Sequence, residues 1–271
     1  MATSSLDRLA CWFDSASGRR LLAEQTPLIG ECARRFHGDT LLWAGCQTDL
    51  TDTVRGCMIR NRFYLETCAG ANGCAAEAET AGFRADLHEL PLANNALDAV
   101  VLHHVLESAE DPRTAIREIA RVLAPGGRLL IVSFNPWSLW GVRGAYARLF
   151  RDSFSGLRFV SPRRLLDWLT VLGFELQHEV KYLAYELPFS TRNKDARLWR
   201  RMRALCAAHG LPLGGVYVVS AVKQAAAMRP DWTVSAVRGR KMAPVAYPRL
   251  SARIAYLPGP NAAGKGAEDP G

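Results

Sequence analysis

From Leu97 to Phe134 the sequence runs through an apolar stretch, an amphipathic helix and a second apolar stretch, and this order confines the chain to few folds. Leu97-Asp-Ala-Val-Val-Leu102 has little polar alternation and reads as a strand buried on both faces. Asp111 is placed to cap a helix from Pro112 to Leu123, with Pro112 at its first position and Ile116, Ile119, Ala120 and Leu123 along one face. Pro125-Gly126-Gly127 stops the helix, and Arg128 to Phe134 is the next buried strand. Strand, helix and strand with so tight a link form a right-handed crossover between parallel strands. A parallel sheet needs helices on both faces, so the fold class is α/β and doubly wound.

The flanks are read around this unit. Residues 5 to 37 are predicted helical: Leu6, Leu9, Trp12 and Phe13 recur at helical spacing, as do Leu21, Leu22, Leu28, Ile29 and Cys32, with Gly18 and Pro27 as punctuation. Such a preface is expected to pack on one edge of the sheet. Thr40 to Gly45 is a first strand; Cys57 to Leu65 and Phe83 to Asp86 are candidates for the second and third; Gly73 to Ala81 could be a short helix. Ser161-Pro162 opens a helix that Gly173 closes, and Phe174 to Tyr185 and Gly215 to Val222 are two last strands around a basic helical segment, Arg192 to His209. The 271 residues therefore divide into a helical segment (1–38), a central domain (39–224) and a Pro/Gly-rich tail (225–271) expected to be disordered.

Composition removes several function classes. No apolar run approaches the roughly 18 residues of a membrane span, and the first 20 residues have no signal-peptide core, which points to a cytoplasmic protein. Seven cysteines with no CxxC pair argue against a disulfide framework or a zinc site. The net charge of +8 and the arginines of the segment Arg192, Arg197, Arg200, Arg201 and Arg203 raise RNA as a partner; a solvated helix face and a basic tail are the plainer reading.

One block carries a family likeness. It begins Phe83-Arg-Ala-Asp86-Leu-His-Glu-Leu90-Pro91, continues through Leu97-Asp98-Ala-Val and His103-His-Val-Leu-Glu107, and ends Asp111-Pro112, Glu118, Arg121 and Pro125-Gly126-Gly127. In order and spacing it resembles the type 11 branch of the class I S-adenosylmethionine-dependent methyltransferases. The resemblance implies a mostly parallel seven-stranded sheet with an antiparallel last strand, S-adenosylmethionine as cofactor and a small-molecule methyl acceptor. It implies that Asp86 accepts from the adenine amino group and that Leu87 lines the adenine pocket, unless Asp86 simply caps a turn. His103 and His104 follow the fourth strand, where one could approach the cofactor or act as a base, or either could be structural. Asp98 reads as structural, and Glu118 with Arg121 as a surface or helix-packing pair. The aromatics Trp12, Trp137 and Trp140, with Asn135, are candidates for the acceptor side or for ordinary packing. The start of the chain, with Trp12, Gly18, Leu22 and Glu24, also resembles a small proteobacterial group of uncharacterised relatives of this branch.

The chain departs from the family after the first strand. Where the family has an acid and then three glycines, the sequence is Trp43-Ala44-Gly45-Cys46-Gln47-Thr48-Asp49. Gly45 alone is kept, and Gly45 and Cys46 are the cofactor-binding candidates of this loop. Glu66, about 20 residues past Gly45, is the candidate for the ribose hydroxyls, or a solvated strand-end acid. Two readings follow: a methyltransferase with an altered loop, or a non-catalytic domain of that ancestry with a binding or regulatory role. An RNA-directed methyltransferase is a third.

Overall fold

The computed structural model describes residues 5–45, 51–54, 56–66, 81–150, 154–184 and 212–225. The chain divides into two compact units, Met1–Ala227 and Met228–Gly271, and every described residue belongs to the first. The predicted helix at Gly73 to Ala81 lies outside the described residues but for Ala81, which opens a strand, and the helix at Arg192 to His209 and the tail from residue 226 lie outside them altogether.

Two helices open the chain, α1 (Ser5–Phe13) and α2 (Ala16–Ala33). They part at Asp14-Ser15 rather than at Gly18. Ser15 caps α2 by accepting from the N–H of Gly18 at 3.1 Å. Gly18 is required by the corner: a Cβ there would sit 2.4 Å from both the Phe13 Cα and the Trp12 carbonyl. Pro27 does not interrupt α2. The missing N–H costs one ladder bond, while Leu21, Gln25, Leu28 and Ile29 around it stay buried.

The sheet contains β1 (Thr40–Gly45), β2 (Asn61–Glu66), β3 (Ala81–Arg84), β4 (Leu97–His103), β5 (Leu123–Phe134), β6 (Phe174–Leu176), β7 (Lys181–Leu183) and β8 (Val216–Lys223). Its order is β3-β2-β1-β4-β5-β8-β6, with β7 also on β8. β1 to β5 pair in parallel, and β8 is antiparallel to β5, β6 and β7. The expected strand at 174–185 is thus two short strands on one neighbour, which turns seven strands into eight. The second and third strands begin later and earlier, respectively, than their apolar runs suggest.

The strand–helix–strand unit is present with one change. Asp111 caps α4 (Pro112–Val122) by accepting from the Arg113 N–H at 3.0 Å, and Ala115, Ile116, Ile119, Ala120 and Val122 are buried. β5 begins at Leu123 rather than Arg128, because Leu123 pairs with Leu97 before the register shifts. Pro125-Gly126-Gly127 fills that shift, with Gly126 at φ +82. After β5 come α5 (Leu139–Phe150) and α6 (Pro162–Val171). A short helix, α3 (Thr51–Val54), stands between β1 and β2. No described helix is long and apolar enough to cross a membrane.

Asp98 is structural. Its carboxylate accepts from the N–H groups of Asp39 and Thr40, at 2.7 and 3.0 Å, and so ties the start of β1 to the start of β4. Burial works to raise its pKa, but these hydrogen bonds outweigh it and lower the pKa.

Candidate functional site

In an open doubly wound sheet, ligands sit at the carboxyl ends of the strands where the order reverses. Here that point lies between β1 and β4, where Gly45 pairs with His103. The two backbones are so close that a Cβ on Gly45 would lie 2.5 Å from the His103 carbonyl oxygen and 2.8 Å from the His103 Cβ. Gly45 is therefore demanded by strand packing, with or without a ligand. Cys46, Gln47 and Asp49 lie outside the described residues. Trp43, in the place of the family's acid, is buried in the core with its ring 5.8 Å from that of His103.

The exit of β4 is unusual. Successive strand residues face opposite sides, yet the rings of His103 and His104 are both fully buried with centroids 4.7 Å apart. His104 achieves this with a left-handed backbone, φ +51, at a cost of about 1 kcal/mol or more. The helical preface covers the pair instead of lining a sheet edge. Phe13 packs on both rings, and the Gln25 amide of α2 bonds both, at 2.9 Å to Nε2 of His103 and 3.2 Å to Nε2 of His104. On the far side, Oε1 of Glu107 meets Nδ1 of His104 at 3.2 Å, the Ser133 hydroxyl at 3.0 Å and the Phe134 N–H at 2.7 Å.

All five polar residues, Gln25, His103, His104, Glu107 and Ser133, are fully buried. Burial first, and the neighbouring His104 second, hold the His103 pKa well below its usual 6.5. Among the described residues, Nδ1 of His103, Oε2 of Glu107 and Nε1 of Trp43 are buried here without a hydrogen-bond partner. Unpaired buried groups are rare, so each calls for an explanation.

Asp86 is exposed, in a tight turn closed by its bridge to Glu89. Its Oδ1 accepts from the N–H of His88 at 2.9 Å and from Nδ1 of the same ring at 2.7 Å. Nε2 of that ring accepts from the N–H of Asp111, at 3.2 Å, so Nδ1 carries the proton. These bonds, the backbone one foremost, lower the Asp86 pKa. Leu87 points inward and is buried. The loop from Asp86 to Asn95 is held by α4: Glu118 accepts from the Leu90 N–H at 2.8 Å, and Arg121 donates to Glu118, the carbonyls of Leu90 and Leu92, and Asn94. The Glu118–Arg121 pair thus acts as a loop clamp. Glu66 ends β2, its backbone paired with Arg84.

The candidates after β5 separate. Asn135 is buried; its amide donates to the carbonyls of Pro212 and Gly214, both at 2.9 Å, and accepts from the Trp137 N–H at 3.1 Å. It joins the end of β5 to the segment entering β8. Trp140 and Trp12 are buried edge to face, centroids 5.4 Å apart, in a cluster with Phe154 over which the Arg143 guanidinium lies. Trp137 alone is open to solvent, 73% exposed.

Sequence reasoning passed over Gln25, Glu107 and Ser133 as functional groups. Gln25 did leave a signal, a polar residue at helical spacing between Leu21 and Leu28 on the apolar face of its helix.

The strand order and the antiparallel β8 are those of the class I S-adenosylmethionine-dependent methyltransferase fold. Residues 61–131 match the family model described as a methyltransferase domain. The chain is 34% identical over 119 residues to the uncharacterised protein YafS of Escherichia coli, a match covering 43% of this chain and 50% of that one. It is 37% identical over 90 residues to a malonyl-[acyl-carrier protein] O-methyltransferase of Halorhodospira halophila, covering 33% and 30%. The chain thus spans at most about half the length of these curated relatives. Among solved structures it is similar to an S-adenosylmethionine-dependent methyltransferase of Thermotoga maritima, a possible histamine N-methyltransferase, at 15% identity with a TM-score of 0.57, covering 81% of this chain and 100% of that one.

Proposed function

We propose that the protein transfers a methyl group from S-adenosylmethionine to a small-molecule acceptor. The observation that carries this reading is the buried His103–Gln25–His104–Glu107 cluster, with its unpartnered atoms, at the point of the sheet where this fold takes its ligand. The residues present suit the cofactor. Asp86 offers an exposed acceptor for an exocyclic amine, Glu66 ends the strand expected to meet a ribose, and His103, with its unpartnered nitrogen, pairs in the sheet with Gly45. The cofactor supplies an activated methyl on a sulfonium; the chain has to bind, align and exclude water. The full burial of both histidines, with Phe13 of α1 and Gln25 of α2 against them, supports such exclusion. The curated relative that acts on malonyl-[acyl-carrier protein] supports an acceptor that is neither DNA nor RNA.

The test is mass spectrometry of the purified protein for retained S-adenosylmethionine or S-adenosylhomocysteine, backed by calorimetry with each. Micromolar binding, weakened at least tenfold by Asp86→Ala, is the expected result. No binding of either compound would leave a domain of this ancestry without the activity, the reading to which the core position of Trp43 lends itself.

A further inference from the structure

The amide of Gln25 has one donating and one accepting end, and that polarity orders the whole buried cluster. Oε1 of Glu107 accepts the Ser133 hydroxyl and the Phe134 N–H, so it accepts from His104 as well, and Nδ1 of His104 carries the proton. A neutral imidazole has one N–H. Nε2 of His104 is then bare and accepts from the amide nitrogen of Gln25. Gln25 has only its oxygen left for the second ring, and Nε2 of His103 must be the donor. What remains is Nδ1 of His103, a lone pair inside the protein with no partner among the described residues.

We propose that Gln25 is a positioning residue that fixes His103 as the Nε2–H tautomer, making its buried Nδ1 the proton acceptor for methyl acceptors that carry an ionisable O–H or N–H. This deepens the transferase reading and rests on it. As the acceptor's oxygen or nitrogen bonds the methyl carbon, the carbon–sulfur bond breaks with its electron pair left on sulfur, and the acceptor's proton passes to Nδ1. Burial keeps His103 neutral beforehand, so the lone pair is present at neutral pH. The left-handed turn at His104 has a purpose in this scheme, since it brings the second ring within reach of the same amide. The preface, in turn, does more than cover: without α2 the Nε2 atoms of both rings lose the partner described here.

The experiment is nitrogen NMR of the protein labelled in its histidines, with and without S-adenosylhomocysteine, on wild type and Gln25→Leu. The His103 signals are assigned by loss in His103→Gln or, should that variant not fold, by contacts to the flanking Phe13 and Trp43 rings. The expected wild-type spectrum has a protonated Nε2 and a bare Nδ1 on His103, with the bias lost in Gln25→Leu and Nδ1 shifted by the ligand. The opposite tautomer in wild type, or an unchanged one in Gln25→Leu, overturns the proposal even if the ligand binds. The expected tautomer with no binding by calorimetry overturns the transferase reading, and with it the proton-accepting role.

Discussion

Replacing Gly45 by alanine separates two explanations of the one glycine kept after β1. If the glycine serves only to let a cofactor approach, the empty protein should tolerate a methyl group. The structure says otherwise, because the new Cβ would meet the His103 carbonyl at 2.5 Å and the His103 Cβ at 2.8 Å. The carbonyl belongs to backbone paired on both sides, to β1 and β5, so relief requires β1 and β4 to part at their carboxyl ends. Overpacking of this kind costs about 1–3 kcal/mol, which for a unit of this size lowers Tm by roughly 2–12 °C. Gly56→Ala is the control: its nearest neighbour would be a flexible Arg34 side-chain carbon at 3.8 Å, and its change should stay within about 0.5 kcal/mol. Thermal melts of the ligand-free variants decide the matter. A Gly45→Ala protein as stable as Gly56→Ala would refute the packing argument and return the residue to the cofactor alone.

Stability should also depend on pH through His103. Its pKa in the folded protein lies well below the 6.5 of the unfolded chain, so below that value the unfolded chain binds a proton the folded one refuses. The contribution is complete above about pH 6.5 and falls as pH drops toward the folded value, by up to about 1.4 kcal/mol per unit, and urea midpoints in His103→Gln should lose this slope. Arg121→Ala should free Leu90 and Leu92, costing about 1–3 kcal/mol and speeding amide exchange from Asp86 to Asn95 ahead of the rest of the domain. Asn135→Ala strands the carbonyls of Pro212 and Gly214 and the Trp137 N–H; a loss of about 2–4 kcal/mol in chemical denaturation is expected, and a loss under about 0.5 would show the contacts to be idle.

The centre of the fold was legible because it rests on local rules. Asp111, Pro112 and the apolar face of α4 specify a capped helix between two strands whatever surrounds them. The Ser161 cap and Gly173, at φ +78, bracket α6 in the same way. The site was legible only in part. His103 and His104 could be placed at the end of a strand, but a sequence period of two sends neighbours to opposite faces, and nothing local announces the left-handed turn that unites them. Gln25 reaches them across 78 and 79 residues, a pairing that follows from how α2 lies on the sheet rather than from any motif. The split of the sixth strand into β6 and β7 escaped for a similar reason, since both halves are defined by β8.

The position of β8 has a consequence for synthesis. This strand, the last among the described residues, lies between β5 and the short pair β6 and β7, so a nascent chain ending before Val216 leaves the long apolar margin of β5 without a neighbour. Ribosome-bound intermediates of that length offer a sticky template to other chains, and the eight residues of β8 fill the gap like a keystone dropped between stones already set.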